Sequence, residues 1–527
     1  MSIDLDPTET PVRDLRSAAA TRPHQRFVTI AGRPWTHLEM WEWAEAAARG
    51  LRDLGVESGG RVVIMAPNVP ESLHAWFGVQ LAGAVDAPIS VEAAGAYLAY
   101  VIDDLDAVAV VGTPETLAMV SSATDRVLPL RVVIGDRSLV PDLDGSVTVS
   151  FDELVVRGRR SQEPVEPPDA WTLGTIMYSS GTTGPSKGVM LSQGYYSTLA
   201  RVHATFAELR PGSRFYCVQP LCHIDARSAV IDALHLRGEI VLGSRFSASR
   251  FWSEVEECDA DVFLYVGTMI HLLFKQSERE IVPRERRRIG FGSATPASAH
   301  REFERRFGVD LVEGYGMTEF GLMAGQRPGR PEPGTVGPEL DWVEARLVDE
   351  HSRDVGDGQV GELVVRPRGQ HLHMMGYWRK PEATVKAWRG LWFHTGDLLR
   401  RLPSGSLEYI GRTKDSIRRR GENISAWEVE EAAAQHPGVL EAAAIGVPSD
   451  VGDEDVALFV VPSRAGIPDL AELREAMGKD VPRYALPRFI EIVSELPKTP
   501  SERVAKAAVR ERGITAEARD FDERRRP

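Results

Sequence analysis

The sequence predicts an α/β protein, with a large multi-sheet N-terminal domain followed by a small α+β domain. Three observations carry this. The chain has 527 residues, more than one hydrophobic core organises. Over the first four hundred, short apolar runs alternate with amphipathic stretches, the rhythm of parallel strands joined by crossover helices. Near residue 411, in Gly411-Arg412-Thr413-Lys414-Asp415, that rhythm gives way to short strands around one helix.

Taken in order, Thr36 and Glu39 stand three apart, the spacing of a capping box, and open an amphipathic helix to about Leu54. An apolar strand over 61–66 follows, then a helix beginning at Pro70, where a first-turn proline costs no hydrogen bond. Strands over 85–89 and 107–111 flank another helix, and the pattern resumes after residue 190. The Pro- and Glu-rich segment 161–169 reads as an exposed connection. Beyond 411, strands over 442–447, 456–461 and 489–493 surround a helix at 470–477, and the charged tail from Glu511 reads as disordered.

Composition excludes several classes. Apolar residues make up 43 % and charged residues 26 %, ordinary for a globular protein. A formal charge of -14 argues against a nucleic-acid partner, which favours a basic face. Cys217, Cys222 and Cys258 match neither a disulfide framework nor a zinc pattern and read as reduced thiols. With no basic-then-apolar leader and no long apolar run for a membrane span, the expectation is a cytoplasmic protein.

The most informative stretch is Tyr178-Ser179-Ser180-Gly181-Thr182-Thr183-Gly184-Pro185-Ser186-Lys187-Gly188. Its glycines let the backbone curl around an anion, the hydroxyls of Ser179, Ser180, Thr182 and Thr183 can donate to phosphate oxygens, and Lys187 adds a compact charge. Strands are predicted on both sides, over 172–177 and 188–191. Strand–loop–strand is not the context of a Walker A loop, and Ser186 rather than glycine precedes the lysine.

This loop resembles the signature of the adenylate-forming superfamily, which includes acyl-CoA synthetases, luciferases and peptide-synthetase adenylation domains. The resemblance continues in order along nearly the whole chain. Gly314-Tyr315-Gly316-Met317-Thr318-Glu319 is similar to the second signature: it implies Tyr315 beside adenine, Thr318 on phosphate and Glu319 holding Mg²⁺. Trp392-Phe393-His394-Thr395-Gly396-Asp397-Leu398 resembles the third, with Asp397 and Arg412 on the ribose hydroxyls. Gly292-Ser293-Ala294 falls where the family has a small-residue turn beside adenine and the acyl chain. Pro220-Leu221-Cys222-His223-Ile224-Asp225 resembles the segment carrying a gating side chain near the substrate carboxylate, here His223; its wording is nearest the carnitine and crotonobetaine CoA-ligase branch. Arg418-Arg419-Arg420-Gly421-Glu422-Asn423 is similar to the motif of the thioester-forming orientation, where Gly421 admits the pantetheine arm.

The resemblance implies the adenylate-forming fold, with a hinge at Lys414 that divides residues 1–413 from a mobile domain over 414–527. It also implies an acyl-CoA ligase acting on a carboxylic acid and coenzyme A through an acyl-adenylate, with the AMP moiety of ATP or acyl-adenylate bound in the large domain.

The pattern breaks near the end. The family carries Gly-Lys after Pro-Lys-Thr-x-x, and this chain reads Pro497-Lys498-Thr499-Pro500-Ser501-Glu502-Arg503. Arg503 therefore stands where the adenylating lysine belongs. A lysine offers a small ammonium with three rotatable donors; arginine is a broad planar fork on a longer arm, and Glu502 adds an anion beside it. The expectation is weak or absent adenylation with thioesterification preserved, a separate adenylating enzyme then supplying the acyl-adenylate. Non-adenylating ligases of this kind belong to platensimycin-type diterpenoid antibiotic assembly. Other readings are a complete synthetase served by Arg503, Lys498 or Lys506, a peptide-synthetase-like domain with Asp225 on a substrate amine, and an adenylate-binding regulator that does no chemistry.

Overall fold

The computed structural model describes residues 9–179, 186–276, 285–413, 416–419, 422–449, 454–464, 466–498 and 504–521. They gather into two compact units. The first holds the described residues of Met1–Ser179, Lys187–Glu344 and Arg366–Leu391; the second holds those of Ser180–Ser186, Ala345–Val365 and Trp392–Pro527.

Two eight-stranded sheets build the first unit. One runs, edge to edge, through Gly321–Gly325, Val309–Met317, Arg288–Ser293, Val262–Val266, Arg214–Cys217, Glu239–Leu242, Arg26–Ile30 and Arg33–Thr36. The other runs through Gly376–Tyr377, Lys187–Ser192, Leu173–Ser179, Val85–Pro88, Arg61–Met65, Ala109–Gly112, Leu130–Val133 and Val147–Ser150. The central strands of both are parallel, as the alternating pattern requires, and antiparallel strands close one or both edges.

The predicted helix start is present in full. The Thr36 side chain accepts from the Glu39 backbone, Glu39 reaches back to the Thr36 N–H, and the helix His37–Asp53 follows. The helix Pro70–Leu81 is buried on nearly every face, and its Trp76 and Phe77 lie among the first unit's large buried side chains. Beneath the second sheet, Val63, Met65, Val85, Leu98, Val101, Ile102 and Ile176 form a continuous aliphatic core. Beside the first, Phe251, Trp252, Phe263, Phe303 and Phe307 form an aromatic one.

In the second unit, the strands Val360–Pro367, Phe393–Arg401 and Leu407–Arg412 continue a four-stranded sheet begun by Val343–Val348. Past the hairpin Ser416–Arg419/Glu422–Ser425, a second four-stranded sheet runs Val439–Pro448, Glu454–Pro462, Phe489–Ile492 and Arg519–Asp520. The helix Leu470–Met477 covers it, burying Leu473 and Met477 against Val456, Leu458 and Ile490.

The reading of the tail as disordered is corrected over 511–521. Residues 506–512 are helical, and Arg519 and Asp520 pair with Ile490 and Phe489. The reason is charge. Glu491 is buried and receives Arg512 Nη2 at 2.5 Å and the Thr515 N–H at 2.9 Å, while the buried Arg488 bonds both Asp520 oxygens. A buried ion left alone costs several kcal/mol, so these core charges hold the tail in place.

Candidate active site

The glycine-rich loop rises from an antiparallel pair, Leu173–Ser179 and Lys187–Ser192, with Ser179 opposite Lys187. Ser180, Gly181, Thr182, Thr183 and Gly184 lie outside the described residues, as does the side chain of Ser179. What holds the base of the loop is visible. Tyr178 donates its hydroxyl to Asp104 Oδ2 at 2.7 Å; Trp378 Nε1 donates to the Asp104 carbonyl at 2.9 Å, and Lys380 Nζ lies 3.0 Å from Asp104 Oδ1. Burial and the Asp104 carboxylate push the Tyr178 hydroxyl well above the usual phenol range, so it remains a donor. A Cβ on Gly188 would meet Ile176, Trp378 and Tyr178, the first at 2.7 Å, so only glycine fits that crossing.

The second motif forms the end of the strand Val309–Met317 and the turn after it. Gly316 is required by packing, since a Cβ there would lie 2.2 Å from the Gly321 carbonyl; one on Gly314 would meet Leu322 at 2.6 Å. Tyr315 is buried and Met317 half-buried. Tyr195 pins the turn by donating to the Thr318 carbonyl at 3.2 Å and accepting from the Gly321 N–H at 2.9 Å. The Glu319 carbonyl accepts the Met374 N–H at 2.8 Å, and its carboxylate accepts the Tyr377 hydroxyl at 3.2 Å.

Tyr377 joins the two motifs. Lys187 Nζ lies 4.8 Å from the centroid of its ring while its hydroxyl holds Glu319. A cation on the ring face and a carboxylate at the hydroxyl place one positive and one negative group at the same corner. Burial and Glu319 raise the Tyr377 pKa well above the ordinary value, so the hydroxyl donates rather than ionises.

Gly292 and Ser293 end the neighbouring strand Arg288–Ser293, and Ala294 opens the turn after it. Gly292 has no room for a side chain, with the Tyr265 carbonyl 2.1 Å from where a Cβ would sit, and Ala294 takes a positive φ of 60°. That turn is held from below. The Thr295 N–H donates to Glu313 Oε1 at 3.0 Å, and the Thr295 hydroxyl lies 2.7 Å from that of Tyr265. Burial pushes the Glu313 carboxyl up to about 7.

His223 caps the helix Ile224–His235 through its backbone and is half-buried, while Asp225 in the first turn is exposed.

Asp397 and Arg412 belong to the second unit, where they are paired partners on adjacent strands. Arg412 Nε lies 3.0 Å from Asp397 Oδ1, and Asp397 is buried. The approach to Asp397 is itself braced: Gly396 donates to Glu362, which also holds His394 at 2.8 Å, and the Thr395 hydroxyl donates to the Leu363 carbonyl. Lys414, Gly421 and Arg503 lie outside the described residues. Of the three consecutive arginines, Arg419 is committed internally, to Asp455 at 2.9 Å and to the carbonyls of Tyr484 and Leu486.

A profile of the AMP-binding enzyme family matches residues 15–378, and one of the AMP-binding enzyme C-terminal domain matches 428–503. The chain belongs to the AMP-binding enzyme family. It is an acyl-CoA ligase of the adenylate-forming superfamily, an acid–thiol ligase. The ligase is similar to a sulfoacetate–CoA ligase of Cupriavidus necator, 31% identical over 474 residues that cover 88% of this chain and 89% of the relative. It is also similar to a crotonobetaine/carnitine–CoA ligase of Escherichia fergusonii, 28% identical over 90% of this chain and 93% of that one. In fold it matches an anthranilate CoA ligase solved with anthranoyl-AMP, at a TM-score of 0.86 and 24% identity over 97% of this chain and 98% of the other.

Within this acyl-CoA ligase, the structure brings Lys187 together with Thr318 and Glu319 through Tyr377 and Tyr195, two residues that sequence reasoning missed. Tyr377 had a signal, a Gly376-Tyr377-Trp378 run directly before the charged Arg379 and Lys380. Tyr195 had none, since its partners are backbone groups more than a hundred residues away. No described helix is long and apolar enough to cross a membrane.

Proposed function

We propose that this acyl-CoA ligase works chiefly on a preformed acyl-adenylate, converting it with CoA to acyl-CoA and AMP, and that its own adenylation half-reaction is weak or absent. The observation that carries the reading is the state of the two lysines that flank Arg503 in sequence. Lys498 Nζ lies 2.7 Å from Glu441, and Lys506 Nζ lies 2.8 Å from Glu430. Each ammonium is already neutralised by a carboxylate, so neither is poised to replace the missing lysine beside an α-phosphate. Arginine keeps the charge but not the shape.

In this reading the loop 179–184 and Lys187 bind the phosphate, Tyr315 and the Gly292–Ala294 turn flank adenine, and Asp397 with Arg412 holds the ribose. The thiol sulfur attacks the acyl carbonyl, the carbonyl–phosphate oxygen bond breaks, AMP leaves, and the thiol proton passes to solvent. His223 lies beside the carbonyl and shifts as CoA enters. The small domain, 414–527, turns about Lys414 and brings Gly421 to the pantetheine arm. The acyl-adenylate then comes from a separate adenylating enzyme.

Magnesium fits the residues present. Glu319 is a half-buried carboxylate steadied by the Tyr377 hydroxyl, the hard oxygen donor such an ion takes. When bound, the ion would neutralise phosphate charge. The retained Lys187–Tyr377–Glu319 corner also favours a second reading, a complete ATP-dependent synthetase.

Two assays separate them. Synthetic acyl-adenylate plus CoA is expected to give acyl-CoA, while ATP–pyrophosphate exchange with the same acids stays near background. Brisk exchange would leave the complete synthetase standing.

A further inference from the structure

The loop that carries His223 is tied down from the opposite sheet. It leaves the strand Arg214–Cys217 and enters the helix at Ile224. Two backbone groups along this crossing, and a third at Gly243 just past the strand Glu239–Leu242, go to one side chain, Asn68, which follows the strand Arg61–Met65 of the second sheet. Asn68 Nδ2 donates to the carbonyls of Gln219 and Gly243, each at 3.0 Å, and Asn68 Oδ1 accepts the Leu221 N–H at 3.0 Å. Asn68 is 7 % exposed, so losing the amide leaves buried backbone groups without partners.

A second tether holds the other backbone group of Leu221. Arg227 Nε donates to the Leu221 carbonyl at 2.8 Å, and its Nη1 pairs with Asp86 of the strand Val85–Pro88. Both residues of that pair are fully buried. Asp86 also accepts from Gln80 at 3.0 Å and Thr175 at 2.9 Å, and the guanidinium lies 4.4 Å from the Trp76 ring centroid. A buried ion pair adds little net stability over apolar residues of the same size, so its presence asks for a reason. A small cavity lined by Ala66, Ser72, Trp76, Leu221, Cys222 and Arg227 adjoins the same loop. Without the tethers, the backbone groups at 219 and 221 lose what fixes them, and His223, two residues on, is free to shift with them.

We propose that Asn68 and the Asp86–Arg227 pair are positioning residues for thioester formation, fixing the 219–223 crossing so that His223 meets the acyl carbonyl in one orientation. This rests on the reading of His223 given above. Neither tether touches substrate; both act through the loop. A displacement of about 1 Å at a reacting group costs on the order of 10- to 100-fold in rate, which sets the scale.

A double-mutant cycle on the full chain tests it, with synthetic acyl-adenylate and CoA as substrates. Asn68→Ala is expected to lower kcat for thioester formation about tenfold while leaving the KM for acyl-adenylate within about twofold. His223→Ala is expected to lower the rate at least as much, and Asn68→Ala added to it to cost little more, because the tether has nothing left to position. Asp86→Asn with Arg227→Gln removes the charges as a pair and checks the second tether should Asn68→Ala fail to fold. Full additivity of Asn68→Ala and His223→Ala, or an Asn68→Ala effect confined to KM or thermal stability, overturns the positioning role and leaves the His223 reading intact. A His223→Ala enzyme with unchanged kcat overturns both.

Discussion

Lys187 faces an aromatic ring, 4.8 Å from the centroid of Tyr377, whereas Lys498 and Lys506 each lie within 2.8 Å of a carboxylate oxygen. The difference matters because of what each partner does to net charge. A ring face steadies an ammonium through its quadrupole and leaves the full positive charge for an incoming anion. A carboxylate cancels it. The proposed phosphate corner of the large unit thus sets its cation against a ring, while the segment after Pro497 keeps lysines paired with carboxylates. One enzyme carries a proposed nucleotide corner with its supports in place and a C-terminal segment in which Arg503 stands at the position proposed for the adenylating cation.

The largest test of that contrast is gain of function. Glu502→Gly with Arg503→Lys restores a compact ammonium and removes a neighbouring anion. ATP–pyrophosphate exchange is expected to rise by about 100-fold or more, the scale of one well-placed electrostatic group in a transition state. Thioester formation from supplied acyl-adenylate is expected to change little. Exchange that stays at background in this double variant would mean that the defect, or the site itself, lies elsewhere.

A smaller effect is expected at the corner itself. Tyr377→Phe keeps the ring under Lys187 but removes the hydroxyl that holds Glu319. One net hydrogen bond corresponds to about 0.5–1.5 kcal/mol, so acyl-adenylate turnover should fall roughly two- to twelvefold. Tyr377→Leu removes the ring as well and should cost more. Equal losses in the two variants would show that the ring contributes nothing to Lys187.

These regions also differ in how far the sequence foretold them. The hairpin over 173–192 was legible because glycines and hydroxyls between two apolar runs have few other uses, and the helix His37–Asp53 because a capping box is a local code. The supports were not legible. Tyr195 and Asn68 act on backbone atoms more than a hundred residues away, Asp104 holds the side chains of Tyr178, Trp378 and Lys380 from far along the chain, and nothing local marks such contacts. The tail failed for the opposite reason. Its charges looked like those of a solvated segment, but buried Arg488 and Glu491 needed them as partners. Local composition cannot see a demand made from another strand.

The smallest expected effect is the most discriminating. Lys498→Ala and Lys506→Ala each remove an ammonium already paired with glutamate, and the Lys498 pair is partly exposed, with the two side chains 28% and 33% accessible. Such pairs contribute about 0–1 kcal/mol, so thermal stability should shift only slightly, somewhat more for the less exposed Lys506–Glu430 pair. Both acyl-CoA formation and residual exchange should stay within about twofold of the parent. The comparison turns on that null result. If Lys506→Ala erased a measurable exchange activity while Lys498→Ala did not, Lys506 would leave Glu430 during turnover and act as the adenylating cation, and Arg503 would not be what limits the first half-reaction.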